Sequence, residues 1–295
     1  MLILRMEDEH LQEVRDLDYL VFQRNTPRTI LNLKNLKTYD KDGCFVCIIN
    51  KKVVGYIFAR TFGQEGFLGP AGVHPEFQGI GIGKELINKS IDYLKTKCKV
   101  IGLEVLPEKT KNIEIYHRLG FVSALPSYIF DISSNDIDTL HKFNNLDLYK
   151  VGTRKREDIL NSIDKLNGLK ASNVSYRNDL LRSISCKGSI CVTYVDRKLC
   201  GFFAYSRIPF PFIWGIVEDG SYDYNVLKEC LANLFKYSGY RNCKIIVNTR
   251  YKRAVELLIK LNCKLDKSIN RMLLKGYEGN YLTESKALIF RPWIS

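Results

Sequence analysis

Three glycines at alternate positions, Gly79, Gly81 and Gly83, occupy the segment "GVHPEFQGIGIGKEL" between a strand-like run and a helix-like run. A strand, a glycine-rich loop and a helix N-terminus together form a recurrent phosphate site. In such a site, backbone N–H groups point at the anion and the helix dipole favours its charge. The missing Cβ of glycine also lets the backbone approach a ligand closely. The segment is therefore a candidate phosphate-binding loop.

The spacing of the glycines excludes two well-known phosphate loops. A nucleotide P-loop requires glycine where Gln78 stands, and Ser or Thr where Glu85 follows Lys84. The dinucleotide fingerprint G-x-G-x-x-G requires unequal spacing, whereas these glycines are evenly spaced by two. The spacing therefore indicates neither ATP nor NAD.

The segments around the loop alternate between strand-like and helix-like patterns. A strand, "LILRM", precedes a helical run and a second helical piece that Thr26 is predicted to cap. Two strands then meet in a predicted hairpin at Asn50-Lys51. After the loop, a helix, a strand, a helix ending at Gly120 and a last strand, "SYIFDI", complete the order β-α-α-β-β-β-α-β-α-β. This order predicts a mixed sheet with helices on its faces.

The second half of the chain repeats the first in weakened form. "NKKVVGYIFAR" has a partner in "DRKLCGFFAYS", with Gly55 opposite Gly201, and "IYHRLGF" has one in "LLIKLNC". We therefore predict two domains of one α/β fold, residues 1–130 and 151–295, joined by a polar linker, residues 131–150.

The loop resembles the acetyl-CoA signature of the GNAT N-acetyltransferase superfamily: Gln or Arg, two residues, Gly, one residue, then Gly or Ala. Gln78, Gly81 and Gly83 match it, and "IYHRLGF" resembles the family's second motif, in which a Tyr precedes Leu-Gly-Phe. The resemblance covers residues 2–130, and the rest only as a decayed copy. It implies an α/β (α+β) chain with two GNAT-like domains, each a mixed, mostly antiparallel twisted sheet flanked by helices.

The resemblance also implies a cofactor site. The pantetheine arm of acetyl-CoA would pair with the strand backbone near Val73, and Asn112 would make a further contact. In the family pattern, however, the common Asn falls at Lys109 and the common Ala at Asn112. The pyrophosphate would lie on the loop backbone, which comprises Gln78, Gly79, Ile80, Gly81, Ile82, Gly83 and Lys84.

Two residues are candidates for catalysis by proton transfer. The resemblance implies that Tyr116 protonates the departing thiolate, a general-acid role suited to a phenol with a high pKa. Glu104 is the favoured general base and Glu65 an alternative. Two further alternatives stay open, since a base could act through water or be unnecessary.

The second copy of the loop has lost these features. It reads "GIVEDGSYDYNVLKE", which places Glu218, Asp219 and Asp223 where a pyrophosphate would lie, and carboxylates would repel that anion. Leu258 stands where Tyr116 stands in the first copy. The sequence therefore predicts that the C-terminal domain is degenerate and shapes or covers the acceptor site.

Composition excludes several other classes of protein. The nine Cys residues are scattered and odd in number, which argues against a disulfide framework. Cys44 and Cys47 have metal-like spacing, but on a strand they face opposite sides and no second pair completes a site, so no metal is expected.

The apolar runs are too short for a membrane span, and the acidic start does not fit a signal peptide. We expect a soluble, cytoplasmic protein.

These observations predict an acetyl-CoA-dependent N-acetyltransferase that acetylates a primary amine on a small molecule or a peptide. The alternative is an acyl-CoA-binding sensor or scaffold without turnover. The net charge of +13 also raises nucleic-acid binding, but no recognition motif accompanies the charge, so that class ranks last. A homodimer is compatible with the sequence.

Overall fold

The protein is described by a computed structural model, which covers residues 1–23, 27–137, 143–166, 174–186, 188–206, 212–220, 222–279 and 287–291. Fourteen strands form one sheet, and helices pack on its faces. None of the helices in these ranges is long and apolar enough to cross a membrane.

The first half has the element order that the sequence predicts, with one addition, the three-residue strand β6. The second helix starts at Ile30 and is capped by Thr29, whose hydroxyl accepts a hydrogen bond from the Asn32 amide. The predicted cap, Thr26, lies outside the described residues. The elements are β1 Leu2–Arg5, α1 Leu11–Phe22, α2 Ile30–Tyr39, β2 Cys44–Ile49, β3 Lys52–Phe62, β4 Glu65–Val73, α3 Ile82–Lys95, β5 Val100–Val105, α4 Thr110–Arg118, β6 Phe121–Ser123 and β7 Ser127–Ser133.

The second half repeats this order, which confirms the internal repeat. From β8 to β13 the described elements again run β-α-α-β-β-β-α-β-α-β, and one further strand, β14, follows. The elements are β8 Asn144–Asp147, α5 Thr153–Asp164, α6 Arg177–Ser185, β9 Ile190–Val195, β10 Lys198–Ser206, β11 Phe212–Glu218, α7 Asp223–Ser238, β12 Asn242–Asn248, α8 Lys252–Lys260, β13 Lys264–Leu274 and β14 Ala287–Phe290.

Local details of the two halves also correspond. The predicted hairpin turn at Asn50-Lys51 is present, and Asp196-Arg197 forms its counterpart; all four residues have positive φ, as in a type I′ turn. A Cβ on Gly55 would lie 3.0 Å from side-chain atoms of α3, and one on Gly201 would lie 2.9 Å from Val226 of α7. Each glycine therefore marks the place where a helix packs directly on its strand.

The two cysteines with metal-like spacing both lie in the core. Cys44 lies in the apolar cluster beneath α1 and α2, whereas Cys47 lies in the cluster beneath α3 on the opposite face of the sheet. Among the residues that the structure describes, no group of three or more His, Cys, Asp or Glu side chains could hold a metal ion.

The two halves exchange their last long strands. The sheet order is β1-β2-β3-β4-β5-β13-β7-β12-β11-β10-β9-β8, so β13 of the second half pairs with β5 of the first, and β7 of the first pairs with β12 of the second. The central contact is the antiparallel pairing of β7 with β13. As a result, the halves share one continuous sheet.

This exchange bears on the predicted domain limits. β7 continues past residue 130 to Ser133. β8, which occupies the position of β1 in the second copy, lies within residues 131–150. The division into residues 1–130, 131–150 and 151–295 stays a prediction.

A buried ion-pair cluster also joins the halves. Arg60 of β3 donates to Asp40 (Nε–Oδ2 3.0 Å) and to Asp179 of α6 (Nη2–Oδ1 2.6 Å). Asp179 also accepts from Arg182 (2.8 Å) and from Arg291 (2.9 Å). Burial alone would raise the pKa of the Asp179 carboxyl, but Arg291, Arg60 and Arg182 hold that pKa well below its usual range. The carboxylate is therefore charged at neutral pH.

The substitution Asp179→Asn tests this cluster. We expect a loss of about 3–5 kcal/mol in unfolding free energy, because the surrounding arginines lose their shared partner. Since the folded-state pKa is lowered, the carboxylate's contribution is complete above pH about 5 and is lost only as the pH falls further. Denaturant unfolding at pH 7 measures the loss.

Asp131→Asn, which removes an exposed partner of Lys244, is the control and should cost at most about 1 kcal/mol. Equal losses in the two variants would contradict the prediction.

Candidate functional site

A cleft opens where β4 separates from β5. The two parallel strands are paired only from Glu65–Leu68 to Val100–Leu103, and β4 continues alone on that side to Val73. The β3–β4 ladder shifts register at Gly69-Pro70, a bulge that bends β4. The backbone of Ala71, Gly72 and Val73 therefore borders the cleft.

The glycine loop forms one end of this cleft. Gly79 and Gly81 have φ of +83° and +92°, a left-handed conformation that glycine adopts without strain. A Cβ on either residue would have no atom within 4 Å, so the space above the backbone is open. Gly81 also caps α3, whose first N–H groups have no acceptor inside the helix. The loop and helix start together present backbone donors to an anion.

The other predicted loop residues divide between the cleft and its surroundings. Gln78 lines the cleft, and its side chain donates to the carbonyl of Val73 at 3.0 Å, which ties the loop to the end of β4. Gly83 and Lys84 line it as well. Ile82 borders the cleft but is buried in the core beneath α3. Ile80 is 63% exposed and is not among the residues that line the cleft.

One face of α4 forms the opposite wall. Asn112 and Tyr116 both lie on this face and line the cleft. The Tyr116 ring packs edge-to-face on Phe121, with ring centroids 5.9 Å apart. Burial raises the pKa of the Tyr116 phenol above its usual value of about 10, so the group remains protonated throughout the neutral range.

The cleft has a volume of about 840 Å³, and several of its lining residues were missed from the sequence. Three of them, Lys111, Ile115 and Arg118, recur at the spacing of one helix face, and this periodicity could have indicated them in the sequence. Val21 of α1 carried no such signal. The missed residues are Val21, Ala71, Gly72, Phe77, Leu86, Ile87, Lys111, Ile115, Arg118 and Leu119.

Glu104 lies outside this cleft. Leu103 and Val105 point into the core beneath α3, so the side chain between them points to the opposite face of the sheet. The carboxylate, which is fully buried, accepts hydrogen bonds from Arg271 of β13 (Nη2–Oε1 2.7 Å) and from the hydroxyl of Ser127. Its contacts join β5 to β13 and β7.

The alternative base, Glu65, lies at the far end of β4. Its carboxylate is nearly buried and faces Arg250, with Nη2–Oε1 at 3.4 Å. Val73 lies eight positions after Glu65, which is roughly 26 Å along a strand. Glu65 is therefore remote from the glycine loop.

In the second copy the helix that corresponds to α3 starts earlier. Ile82 packs on Gly55 in the first copy and Val226 packs on Gly201 in the second, so Val226 corresponds to Ile82. Helix α3 begins at Ile82, whereas α7 begins at Asp223, three residues before Val226. The extra helical residues replace the open loop.

An ion pair and an apolar helix face also distinguish this region of the second copy from the first. Asp223 pairs with Arg253 of α8 (Nε–Oδ2 2.9 Å), which joins the two helices that would flank a cofactor. Leu258, at the position of Tyr116, is fully buried. The α4 side chains that pack on the core, Ile113 and Tyr116, are only partly buried, whereas α8 buries Ala254, Leu257 and Leu258.

Comparisons of sequence agree with the site. Residues 9–121 match the sequence model of the acetyltransferase (GNAT) family. An uncharacterized N-acetyltransferase of Methanocaldococcus jannaschii is 38% identical over 96 residues, which are 30% of this chain and 42% of that protein. The chain thus matches less than half the length of this relative.

Comparisons of structure extend over the whole chain. A "putative acetyltransferase" from Pyrococcus horikoshii superposes with a TM-score of 0.76 at 16% identity, over 99% of this chain and 93% of that one. A tandem GNAT protein from the clavulanic acid biosynthesis pathway gives 0.66 at 11% identity, over 93% and 98%. Residues 9–121 therefore match the acetyltransferase (GNAT) family, and the chain as a whole has the fold of these two solved structures.

Proposed function

We propose that the protein is an N-acetyltransferase that uses acetyl-CoA and a primary amine, with its single active site in the first copy. The observation that carries this proposal is the cleft between α3 and α4, which the glycine loop closes at one end and Tyr116 lines along one wall. In the second copy the equivalent space holds helix and an ion pair.

The residues of the cleft suit the cofactor. Backbone N–H groups at the start of α3 would bind the pyrophosphate, with Lys84 adding positive charge. The free edge of β4 near Val73 would pair with the pantetheine arm, and Asn112 would contact it from α4. Acetyl-CoA supplies the acetyl group that is transferred.

Tyr116 is the proposed general acid. Its phenol oxygen carries the proton that a departing thiolate needs, and burial keeps that proton in place at neutral pH. The amine must arrive neutral to act as a nucleophile. The prediction that Glu104 takes up its proton stays a prediction, and the buried contacts of this carboxylate favour a structural role instead.

A sensor or scaffold that binds acyl-CoA without turnover is the second candidate. One observation favours it: among the described residues that line the cleft there is no Asp, Glu or His to serve as a base. A peptide or small-molecule acceptor, a homodimer and a cytoplasmic location stay predictions.

The substitution Gly83→Glu tests the cofactor site. Gly83 lines the cleft, and a Cβ there would meet only Val73 at 3.8 Å, so the change adds negative charge without backbone strain. We expect the dissociation constant of acetyl-CoA to rise at least about tenfold, because a carboxylate repels the pyrophosphate. Calorimetry measures the affinity.

Two control variants accompany this test. Gly83→Ala should retain binding, because it adds no charge. Gly220→Glu places the same charge in the loop of the second copy, where a Cβ meets no atom within 4 Å, and should leave the affinity unchanged. If Gly83→Glu binds acetyl-CoA normally, the proposed site is wrong.

The substitution Tyr116→Phe separates the enzyme from the sensor. It removes the proton donor but keeps the ring contact with Phe121. For an enzyme we expect kcat to fall by about 10²–10⁴ while the dissociation constant of CoA changes less than about twofold. Release of CoA with an amine acceptor gives kcat. An unchanged kcat would exclude Tyr116 as the acid, and wild-type protein that never releases CoA with any amine would favour the sensor.

The substitution Glu104→Gln tests the predicted base. Because its carboxylate is buried against Arg271, we expect a loss of roughly 3 kcal/mol in stability and a kcat within about threefold of wild type in folded protein. Arg271→Gln is the partner variant, and the double variant should lose less than the sum of the two. A large fall in kcat at unchanged stability, with a shifted pH profile, would instead support Glu104 as the base.

A further inference from the structure

The last described strand, β14, joins the second copy at an edge of β11. One edge of β11 pairs with β10, and the other pairs with β12 at residues 212–213. Beyond these two residues β11 pairs antiparallel with β14, where Gly215 lies opposite Phe290 and Glu218 lies opposite Ala287. Since β10 occupies the first edge, β14 lies on the edge from which β12 has separated.

The pairing of the strands shows that this edge corresponds to the free edge of β4. In the first copy Gly55 lies opposite Val73, and in the second its counterpart Gly201 lies opposite Val217. Val217 therefore corresponds to Val73. Residues 215–218, which pair with β14, thus correspond to the part of β4 that borders the cofactor cleft.

The surroundings of β14 correspond to the walls of that cleft. β14 adjoins β12 and α8, which are the counterparts of β5 and α4. All four of its side chains are buried in the core of the second copy, and the Phe290 ring packs on Phe203 with centroids 5.4 Å apart. We call the space bounded by residues 215–218, β12 and α8 the strand groove. In the first copy β4 and α4 border an open cleft, whereas in the second their counterparts enclose β14.

β14 is an addition to the repeated fold. The elements from β8 to β13 already supply a counterpart for each strand and helix from β1 to β7 apart from β6. Among the described strands, β14 hydrogen-bonds to β11 alone. A short strand that pairs by one of its edges with the edge of a sheet has the arrangement in which extended peptides bind by strand addition.

A paired arginine fixes the end of this strand. Arg291, the residue after Phe290, is only 3% exposed and donates to Asp179 (Nη2–Oδ2 2.9 Å). Its guanidinium lies 4.7 Å from the ring centroid of Trp214 in β11 and 5.3 Å from that of Phe62 in β3. The segment is thus held by backbone pairing, by buried apolar side chains and by one buried charge pair, which give a bound peptide both affinity and specificity.

We propose that the strand groove of the second copy is a binding site for an extended apolar peptide, and that Ala287–Phe290 of the same chain is its ligand. The backbone edge that would pair with pantetheine in the first copy pairs with peptide in the second. The comparison with pantetheine rests on the proposed function, whereas the peptide site rests on the contacts of β14 alone.

The experiment weakens β14 in the full chain and supplies it again as a separate peptide. Ile289→Asp places a carboxylate in the apolar groove, so we expect Tm to fall by at least about 5 °C. The peptide acetyl-ALIFR-amide, which spans residues 287–291, should restore about half of this loss at millimolar concentration, because a ligand of the folded state stabilises it. Thermal unfolding followed by circular dichroism measures both changes. The acetylated N-terminus prevents the peptide from serving as an amine acceptor.

Three controls show whether the effect belongs to the groove. The peptide acetyl-ALDFR-amide, which carries the same carboxylate as the variant, should restore nothing. Wild-type protein should not respond to the ALIFR peptide, because its own strand fills the groove. Ile259→Asp makes the same substitution at a side chain 61% exposed on α8, and should neither lower Tm by more than about 1 °C nor respond to the peptide.

The outcomes separate the peptide site from the proposed function. If Ile289→Asp yields no folded protein, Ile289→Ala replaces it, with a smaller loss and the same expected recovery. The peptide site is wrong if the ALIFR peptide fails to stabilise the folded variant, or if the ALDFR peptide stabilises it equally. Calorimetry of wild-type protein should give one acetyl-CoA per chain, and two would show that β14 does not occupy the groove. If no acetyl-CoA binds, the proposed function is wrong, and the peptide result still decides the peptide site.

Discussion

The hydrogen bonding of β13 to both β5 and β7 is the constraint on which the rest of the structure depends. The first part of β13 pairs with β7 and the last part with β5, so one strand joins the two halves into a single sheet. β5 is also the strand from which β4 diverges to open the cleft. The buried pair of Glu104 and Arg271 fixes β5 against β13 at this point. The second copy thereby supports the strand beside which the cleft of the first copy opens.

The two copies have similar cores, in which a helix packs directly on a strand glycine. They differ in the region between α3 and α4 and its counterpart between α7 and α8. In the first copy, α4 packs on the core with partly buried side chains such as Tyr116, and the glycine loop leaves the start of α3 open. In the second copy, α8 packs apolar residues into the core, α7 begins earlier, and Asp223 pairs with Arg253.

Many elements could be predicted from sequence because their causes are local. The hairpin at Asn50-Lys51 follows from turn chemistry, and α3 follows from apolar periodicity after a glycine cap. β6 was missed because three residues carry no period. The predicted role of Glu104 rested on its strand alone, and only the pairing with β13 revealed a carboxylate enclosed by Arg271 and Ser127.

The sequence by itself determined the repeated element order, the glycine loop before α3 and the place of Tyr116 on α4. Each of these depends on residues within a few positions of one another, where glycine spacing and helical period act directly. Tertiary structure decided the exchange of β7 and β13, the partner of Glu104 and which side chains line the cleft. Those features arise from pairings between residues more than a hundred positions apart, or from which side chains remain exposed after packing, and no local pattern encodes either.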